Sequence, residues 1–396
     1  MKLQDIAQFN PATKLMRDED VHFVDMASLP VMARDITKIE RRPAASGGAK
    51  FINGDTLMAR ITPCLENGKG ALVSGLPGDT SGQGSTEFIV LRAHDSSDEK
   101  FIYYVTRNPS FHQYAIQRMT GTSGRQRVSW QSLVDYEMTS LSTAERYQIG
   151  EILGSLDDKI ELNHNMNETL EAQSHALFRD WFVDFGPVKA KMAGDDPYLA
   201  PELWSLFPDR LDNNGSPDGW SICQVRDVMG LAYGKSLPAR NRNHGSVPVY
   251  GSGGIGGYHN AALINGPTVM VGRKGTVGSL YWENGPSFPI DTVFYVEPKV
   301  SLEYCYQLLL SYPLRDMNTD AAVPGLNREN VYRLEFRKPS DQLLDAFNAI
   351  ASDIRAKMVA NLDESRTLAQ VRDLLLPKLM SGEIRISAEE LIDEAT

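Results

Sequence analysis

Between Ile149 and Phe185 the chain reads IGEILGSLDDKIELNHNMNETLEAQSHALFRDWFVDF, and Ile149, Leu156, Asn163, Leu170 and Leu177 recur every seven residues. A seven-residue repeat of this kind makes a long helix that packs against another helix. Adding 198, half the length of the 396-residue chain, gives Phe347, Ile354, Asn361, Leu368 and Leu375. Again four apolar residues surround a central Asn. The partner helix is therefore predicted within the same chain, which reads as an internal duplication.

The duplication extends into the segments ahead of each helix. LQDIA (3–7) resembles VRDVM (225–229) at an offset of 222, and INGDTLM (52–58) matches INGPTVM (264–270) at 212. FIVL (88–91) and VFYV (293–296) correspond at 205, Val128 and Ser129 fall on Leu326 and Asn327 at 198, and Ser142 falls on Ser340. An offset that shrinks only through loops describes one fold with shorter loops in its second copy. Short β-rich runs set off by Gly and Pro fill most of 1–142, and two helices are predicted near its end, over 100–108 and 109–119. The connector after the first helix, opened by the stop signals Gly186 and Pro187, carries Tyr198, Trp204, Phe207 and Trp220 and reads as a packed loop.

The predicted division is a strand-rich module over 1–145, a long helix over 146–186, a connector over 187–220, a second module over 221–342, a second long helix over 343–386 and an acidic, frayed tail over 387–396. The fold class is α+β: two pseudo-symmetric strand-rich domains separated by two long helices that form an intramolecular antiparallel coiled coil. Asn163 and Asn361 are each third of five heptad positions, so an antiparallel pair brings them together near a pseudo-twofold axis, where they would fix register. The competing reading leaves both as solvated residues on a helix edge.

A formal charge of −11 argues at first against nucleic acid, but its distribution does not. Residues 1–142 carry 16 Lys/Arg against 16 Asp/Glu, residues 221–340 carry 12 against 9, and the remainder 12 against 26. The acidity lies in the helices, connector and tail, which leaves each module free to present a basic face to DNA. No apolar run reaches the ~20 residues that span a bilayer. The N-terminus lacks the apolar core of a signal peptide, and a cytoplasmic protein is expected. Cys64, Cys223 and Cys305 form no CxxC, and no HExxH occurs, so neither a disulfide framework nor a metal site is expected.

ARITPCLENGKGALV (59–73), STEFIVLR (85–92), VPVYGSGGIGGYHN (247–260) and ALFRDWFVDFGPVKAKM (176–192), in this order and on this duplication, resemble the specificity subunit of type I restriction–modification systems. The resemblance covers essentially the whole chain. It implies that each module is a target recognition domain reading one half of a split double-stranded DNA site. It also implies that the helix pair is a spacer and a docking surface for two methyltransferase subunits, to which restriction subunits add. The chain itself would then be non-catalytic and hold no cofactor. S-adenosylmethionine would belong to the methyltransferase partner, ATP and Mg to the restriction partner, and no membrane would be involved.

Candidate DNA contacts sit on strand ends and in Gly-rich loops. In the first module they are Arg60, Lys69, Ser123, Arg125, Gln126 and Arg127; in the second, Arg240, Arg242, Arg273, Lys274, Asn327 and Arg328. Arg can hold guanine O6 and N7 with two hydrogen bonds, and Gln or Asn can do the same for adenine, while phosphate contacts position without reading. Gly251, Gly253 and Gly256 formally satisfy GxGxxG, but too few residues follow for the helix such a cofactor loop needs, and a tight turn is expected. NPSF (108–111) nearly matches a methyltransferase adenine clamp, yet a helix start explains it. Asp291, Glu297 and Lys299 are spaced too closely for a nuclease set, and no GxxxxGK[ST] occurs. Phe178, Trp181, Phe182 and Phe185 exceed what one helix seam requires; they read either as intramolecular core or as a seat for a methyltransferase subunit. Two rival functions stay open: a fused adenine-specific methyltransferase and a scaffold whose modules contact only protein.

Overall fold

Buried apolar runs bounded by glycine turns become strands largely where the spacing predicts them. The computed structural model describes residues 1–15, 20–31, 33–78, 80–122, 124–318 and 325–385, so the predicted acidic tail lies outside the described residues. Met1–Asn163 with the segment from Asp363 onward forms one unit, and His164–Leu362 forms the other.

The first unit contains β1 (Ala7–Phe9), β2 (Asp20–Val24), β3 (Glu40–Pro43), β4 (Ala49–Phe51), β5 (Thr56–Ala59), β6 (Gly70–Leu72), β7 (Gly82–Gly84) and β8 (Phe88–Ala93). Then come α1 (Glu99–Arg107), α2 (Pro109–Gln117), the short hairpin β9 (Met119–Thr120) and β10 (Arg127–Val128), and the long α3 (Thr143–Phe182). One antiparallel sheet runs β1-β8-β5-β6, with Leu57 opposite Val90 and Thr56 opposite Leu72. A second runs β3-β2-β7-β4, in which β2 and β7 are parallel. Phe51, Leu57, Phe88 and Val90 are buried together in one core, each such side chain contributing roughly 1.5–3 kcal/mol. On the other side, α1 packs Phe101, Ile102 and Tyr104 into a second core with Leu3, Leu91 and Leu153. Asn108 accepts from the Ser110 N–H with Pro109 in the first turn, so NPSF is a helix start.

The second unit contains α4 (Gly186–Ala193), α5 (Pro201–Trp204), β11 (Ser221–Gln224), α6 (Val225–Val228), β12 (Met229–Tyr233), β13 (Val247–Gly251), β14 (Gly254–His259) and β15 (Thr268–Gly272). It continues with β16 (Leu280–Glu283), β17 (Phe288–Pro289), β18 (Val293–Pro298), α7 (Leu302–Leu310), α8 (Arg328–Tyr332), β19 (Glu335–Lys338) and the long α9 (Asp341–Ser381). Its main sheet, β12-β18-β15-β16, repeats the order of the first, and β13 pairs with β17 in parallel as β2 does with β7. The offsets of 222, 212 and 205 thus join β1 to β12, β5 to β15 and β8 to β18. The pseudo-symmetric α+β reading holds at the level of strand order.

The long helices start on their own caps. Ser142 and Glu145 form a reciprocal box ahead of α3, and Ser340 caps α9 through the Leu343 N–H. Gly186 and Pro187 do not stop α3, contrary to expectation. The helix ends at Phe182, Phe185 turns the chain in the left-handed region, and Gly186–Pro187 open α4. Pro fits there because a first-turn residue needs no N–H partner.

Within each unit the α3 and α9 segments run antiparallel. In the first unit, Arg372 pairs with Asp157, Lys159 with Glu364 at 3.3 Å, and Asn163 donates to Glu364 at 2.8 Å and Ser365 at 3.3 Å. In the second, Asn361 donates to the Asn167 side-chain oxygen at 2.8 Å, and Asn167 to the Met358 carbonyl at 3.1 Å. Both heptad asparagines are buried, at 1% and 2% exposure, which rules out the solvated reading. Ser365 lies 198 beyond Asn167, so each unit makes the same cross-helix bond with its own residues. Leu156, Leu170, Ile354 and Leu368 are only half-buried, while Leu153, Asn167, Ser174, Ala351, Arg372 and Leu379 are buried. The seam is therefore more polar than the apolar repeat implied.

The aromatic end of α3 is core. Phe178, Trp181 and Phe182 are 0%, 0% and 6% exposed and pack edge-on against Tyr304, Phe207 and Phe347. This corrects the docking expectation for those three residues: their rings are consumed by the second unit's own core. Phe185 is half-buried against Trp220. No described helix is long and apolar enough to cross a membrane.

Candidate nucleic-acid interface

Four of the predicted contacts in the second module converge. Arg273 and Lys274 leave the end of β15, and Asn327 and Arg328 open α8, where Asn327 caps the helix by accepting from the Glu329 N–H at 2.8 Å. The Leu326 N–H donates to the Arg273 carbonyl at 2.8 Å, and Lys274 bridges Gly325, which ties the two segments together. They line a cleft of about 260 Å³ with Tyr233 at the end of β12. Both guanidiniums lie over the Tyr233 ring, Arg273 at 4.9 Å and Arg328 at 5.0 Å from its centroid. Arg273 donates to the Asp291 carbonyl at 3.0 Å and Arg328 to the Leu231 carbonyl at 3.4 Å.

This arrangement holds planar donors beside an aromatic ring that is about half exposed, at 47%. Such a ring can stack on a base or sugar, while the guanidinium edges offer donors to phosphate oxygens or to guanine O6 and N7. Among the described residues Glu329 is the one acid on the cleft, against Arg273, Lys274 and Arg328. Sequence reasoning missed Tyr233; its signal was an aromatic at the strand end just ahead of Gly234 and Lys235.

Arg240 and Arg242 do not join this group. Arg240 is exposed, and Arg242 donates to the Gly256 carbonyl at 2.6 Å, clasping the hairpin of β13 and β14. That hairpin is the GxGxxG stretch. Gly251 pairs with Gly254 across a two-residue turn, with no helix after it, as the tight-turn reading required.

In the first module the predicted residues separate. Ser123 lies outside the described residues. Arg125 is exposed with no side-chain partner among them, and the Gln126 backbone is pinned to Thr62 in both directions, at 3.0 and 2.8 Å. Arg127 is held by Glu87 through Nε and Nη2 at 2.7–3.0 Å, and this hydrogen bond raises its pKa above the ordinary guanidinium range. Lys69 donates to the Met26 carbonyl at 2.8 Å. Arg127 and Lys69 are thus both engaged by the module itself. Arg60 is half-buried and unbonded at its side chain, with its Nε buried and lacking an acceptor among the described residues.

Lys299 donates to the Arg226 carbonyl rather than joining Asp291 and Glu297, and no cluster of three metal-binding side chains exists among the described residues. Burial pushes the Cys305 thiol up to about 12, which makes it inert as a nucleophile at neutral pH.

Fold and clefts together define a protein of two like modules, each carrying exposed cations at its strand ends and continuing into a long helix. Residues 217–342 match the family described as the type I restriction modification DNA specificity domain. The chain is 25% identical over 331 residues to the type I restriction enzyme HindI specificity subunit of Haemophilus influenzae, an alignment covering 65% of this chain and 71% of that one. It is 23% identical over 324 residues to the MjaIX specificity subunit of Methanocaldococcus jannaschii, covering 75% and 71%. The crystal structure of the type I restriction–modification S subunit from M. genitalium shares the fold, with a TM-score of 0.53 at 17% identity over 96% of this chain and 95% of that one. The second module is thus similar to type I DNA specificity domains, and the chain as a whole is similar to specificity subunits, as the sequence resemblance implied.

Proposed function

We propose that this chain is the non-catalytic DNA sequence-specificity subunit of a type I restriction–modification complex. Each module binds one half of an asymmetric, bipartite site in double-stranded DNA, and the helix pair sets the gap and seats two methyltransferase subunits. Those partners supply S-adenosylmethionine chemistry on a flipped adenine, and restriction subunits supply ATP- and Mg-dependent cleavage. Asn163 and Asn361 fix the helix register. The observation that carries the reading is the cleft of Arg273, Lys274, Asn327 and Arg328 around Tyr233, within the stretch that matches the specificity-domain family. Four residues chosen for DNA chemistry from separate loops meet at one place.

The test is to map methylated adenines in cells expressing the chain with its methyltransferase partner. A split, asymmetric sequence is expected, and the purified chain alone should transfer no methyl group. Arg273→Ala combined with Arg328→Ala should weaken duplex binding at least tenfold, as expected when strong base or phosphate contacts worth about 1–3 kcal/mol each are lost. Methyl transfer by the isolated chain would restore the fused-enzyme reading. A chain that binds the partner but no duplex would restore the scaffold.

A further inference from the structure

The first module has its own cationic cleft, and its composition specifies a different ligand group from that of the second. The cleft, of about 590 Å³, lies between the edges of the two sheets and is lined by Lys14, Lys50 and Arg60 over a floor of Phe88 and Val90. No carboxylate lines it among the described residues. None of the three cations makes a side-chain hydrogen bond or ion pair with the described residues, and the Arg60 Nε is buried without an acceptor among them. A desolvated guanidinium nitrogen with no acceptor is unfavourable until an oxygen reaches it.

The walls are built to stay open. Gln83, fully buried, accepts from the Ala45 N–H and donates to the Ala45 and Gly47 carbonyls, which fixes the loop ahead of β4 that carries Lys50. Gly48 has φ +104, and a Cβ there would lie 2.4 Å from the Gly84 carbonyl oxygen, so only glycine fits the rim. On the opposite wall, Asn10 adopts φ +45 while its side-chain oxygen accepts from the Val90 N–H at 2.9 Å and its own N–H donates to the Val90 carbonyl at 2.7 Å. The three basic side chains supply donors only.

Adenine and cytosine edges also present a donor and the acceptor-only edge of guanine is uncharged, whereas a phosphodiester carries acceptors only and a full negative charge, which suits three cations with no carboxylate among them. We propose that this cleft seats one backbone phosphate of the DNA, with Arg60 as the inner ligand and Lys14 and Lys50 as the outer charges. This rests on the DNA-recognition reading above. The two modules then divide their roles: the first module's cleft positions the duplex, and the ring-backed cleft of the second can also touch bases.

The experiment uses the full chain with its methyltransferase partner and a duplex bearing the mapped site. Binding is measured across salt for wild type, Arg60→Gln, Lys50→Gln and Arg60→Lys. Arg60→Gln, which removes the inner ligand, should lower the slope of log affinity against log salt by up to about 0.9, and Lys50→Gln by a smaller amount; each should cost several-fold in affinity, equally on cognate duplex and on duplexes altered in the first half-site. Arg60→Lys should retain the slope, which separates charge from misfolding. An unchanged slope in both neutral variants would overturn the phosphate seat, and so would a changed methylated sequence, because the cleft would then read bases. Inorganic phosphate that displaces no DNA from wild type but blocks Arg60 from a guanidine-directed reagent would mark a free-phosphate site and count against the proposal. Failure of the wild-type complex to bind any duplex would instead remove the DNA reading itself.

Discussion

Asn361 places its amide on the Asn167 side-chain oxygen inside the helix pair, where neither residue is more than 8% exposed. Replacing Asn361 with Leu takes the donor from a buried acceptor. That is expected to destabilise the fold by about 1–3 kcal/mol, because the orphaned group loses water without gaining a partner. Replacing both residues with Leu should recover most of the loss, as removing a polar pair together is far cheaper than breaking it. A double-mutant cycle in urea denaturation checks both. Equal losses in the single and double variants would mean that the bond does not set the energy of the seam. At this scale the sequence was readable in part. A polar residue in an apolar repeat announces itself, as Asn163 and Asn361 do. Lys14, Lys50 and Tyr233 did not announce themselves: each is an ordinary residue whose role comes from a neighbour distant in sequence, Lys50 and Arg60 meeting across two sheets.

Among elements, legibility followed apolar content. β5 is buried throughout and β8 and β18 begin on mostly buried apolar runs, so they were evident, whereas β7 is Gly82–Gln83–Gly84 and has no strand propensity at all. Its glycines answer to packing: a Cβ at Gly82 would sit 2.3 Å from the Phe51 ring and one at Gly84 2.8 Å from the Phe88 ring. The end of α3 shows the converse, a pattern visible in sequence with two meanings that only burial separates. Because Trp181 is fully buried against Phe207, Trp181→Ala should cost about 3–5 kcal/mol through the cavity it leaves. Phe185→Ala, at a half-buried site, should cost clearly less. Thermal unfolding of the two variants makes the comparison. A Trp181→Ala protein as stable as wild type that nevertheless fails to bind the methyltransferase would reinstate the docking role.

For the whole molecule, duplication preserved the scaffold and released the chemistry. The position that holds Asp157 in the first unit, bound there by Arg372 and by Tyr104 at 2.5 Å, holds Arg355 in the second, where it pairs with Glu303 at 2.9 Å and covers the Trp282 ring at 4.1 Å. Two modules that keep one strand order but not one set of side chains suit the reading of two different half-sites. Both long helices continue across the boundary between the units, at 163/164 and 362/363. A spacer role therefore makes a length prediction. Inserting seven residues at each boundary preserves the heptad phase and adds about 10.5 Å, close to three base pairs at about 3.4 Å each. The methylated site should keep both halves and gain a gap about three base pairs longer. Three base pairs also turn the duplex by roughly a third of a helical turn, given about 10–10.5 base pairs per turn. The modules must absorb that rotation, so binding should weaken even as the preferred gap shifts. Adenine mapping on the insertion variant decides the matter: new half-sites, or methylation kept at the original gap, would show that the helices are not the ruler.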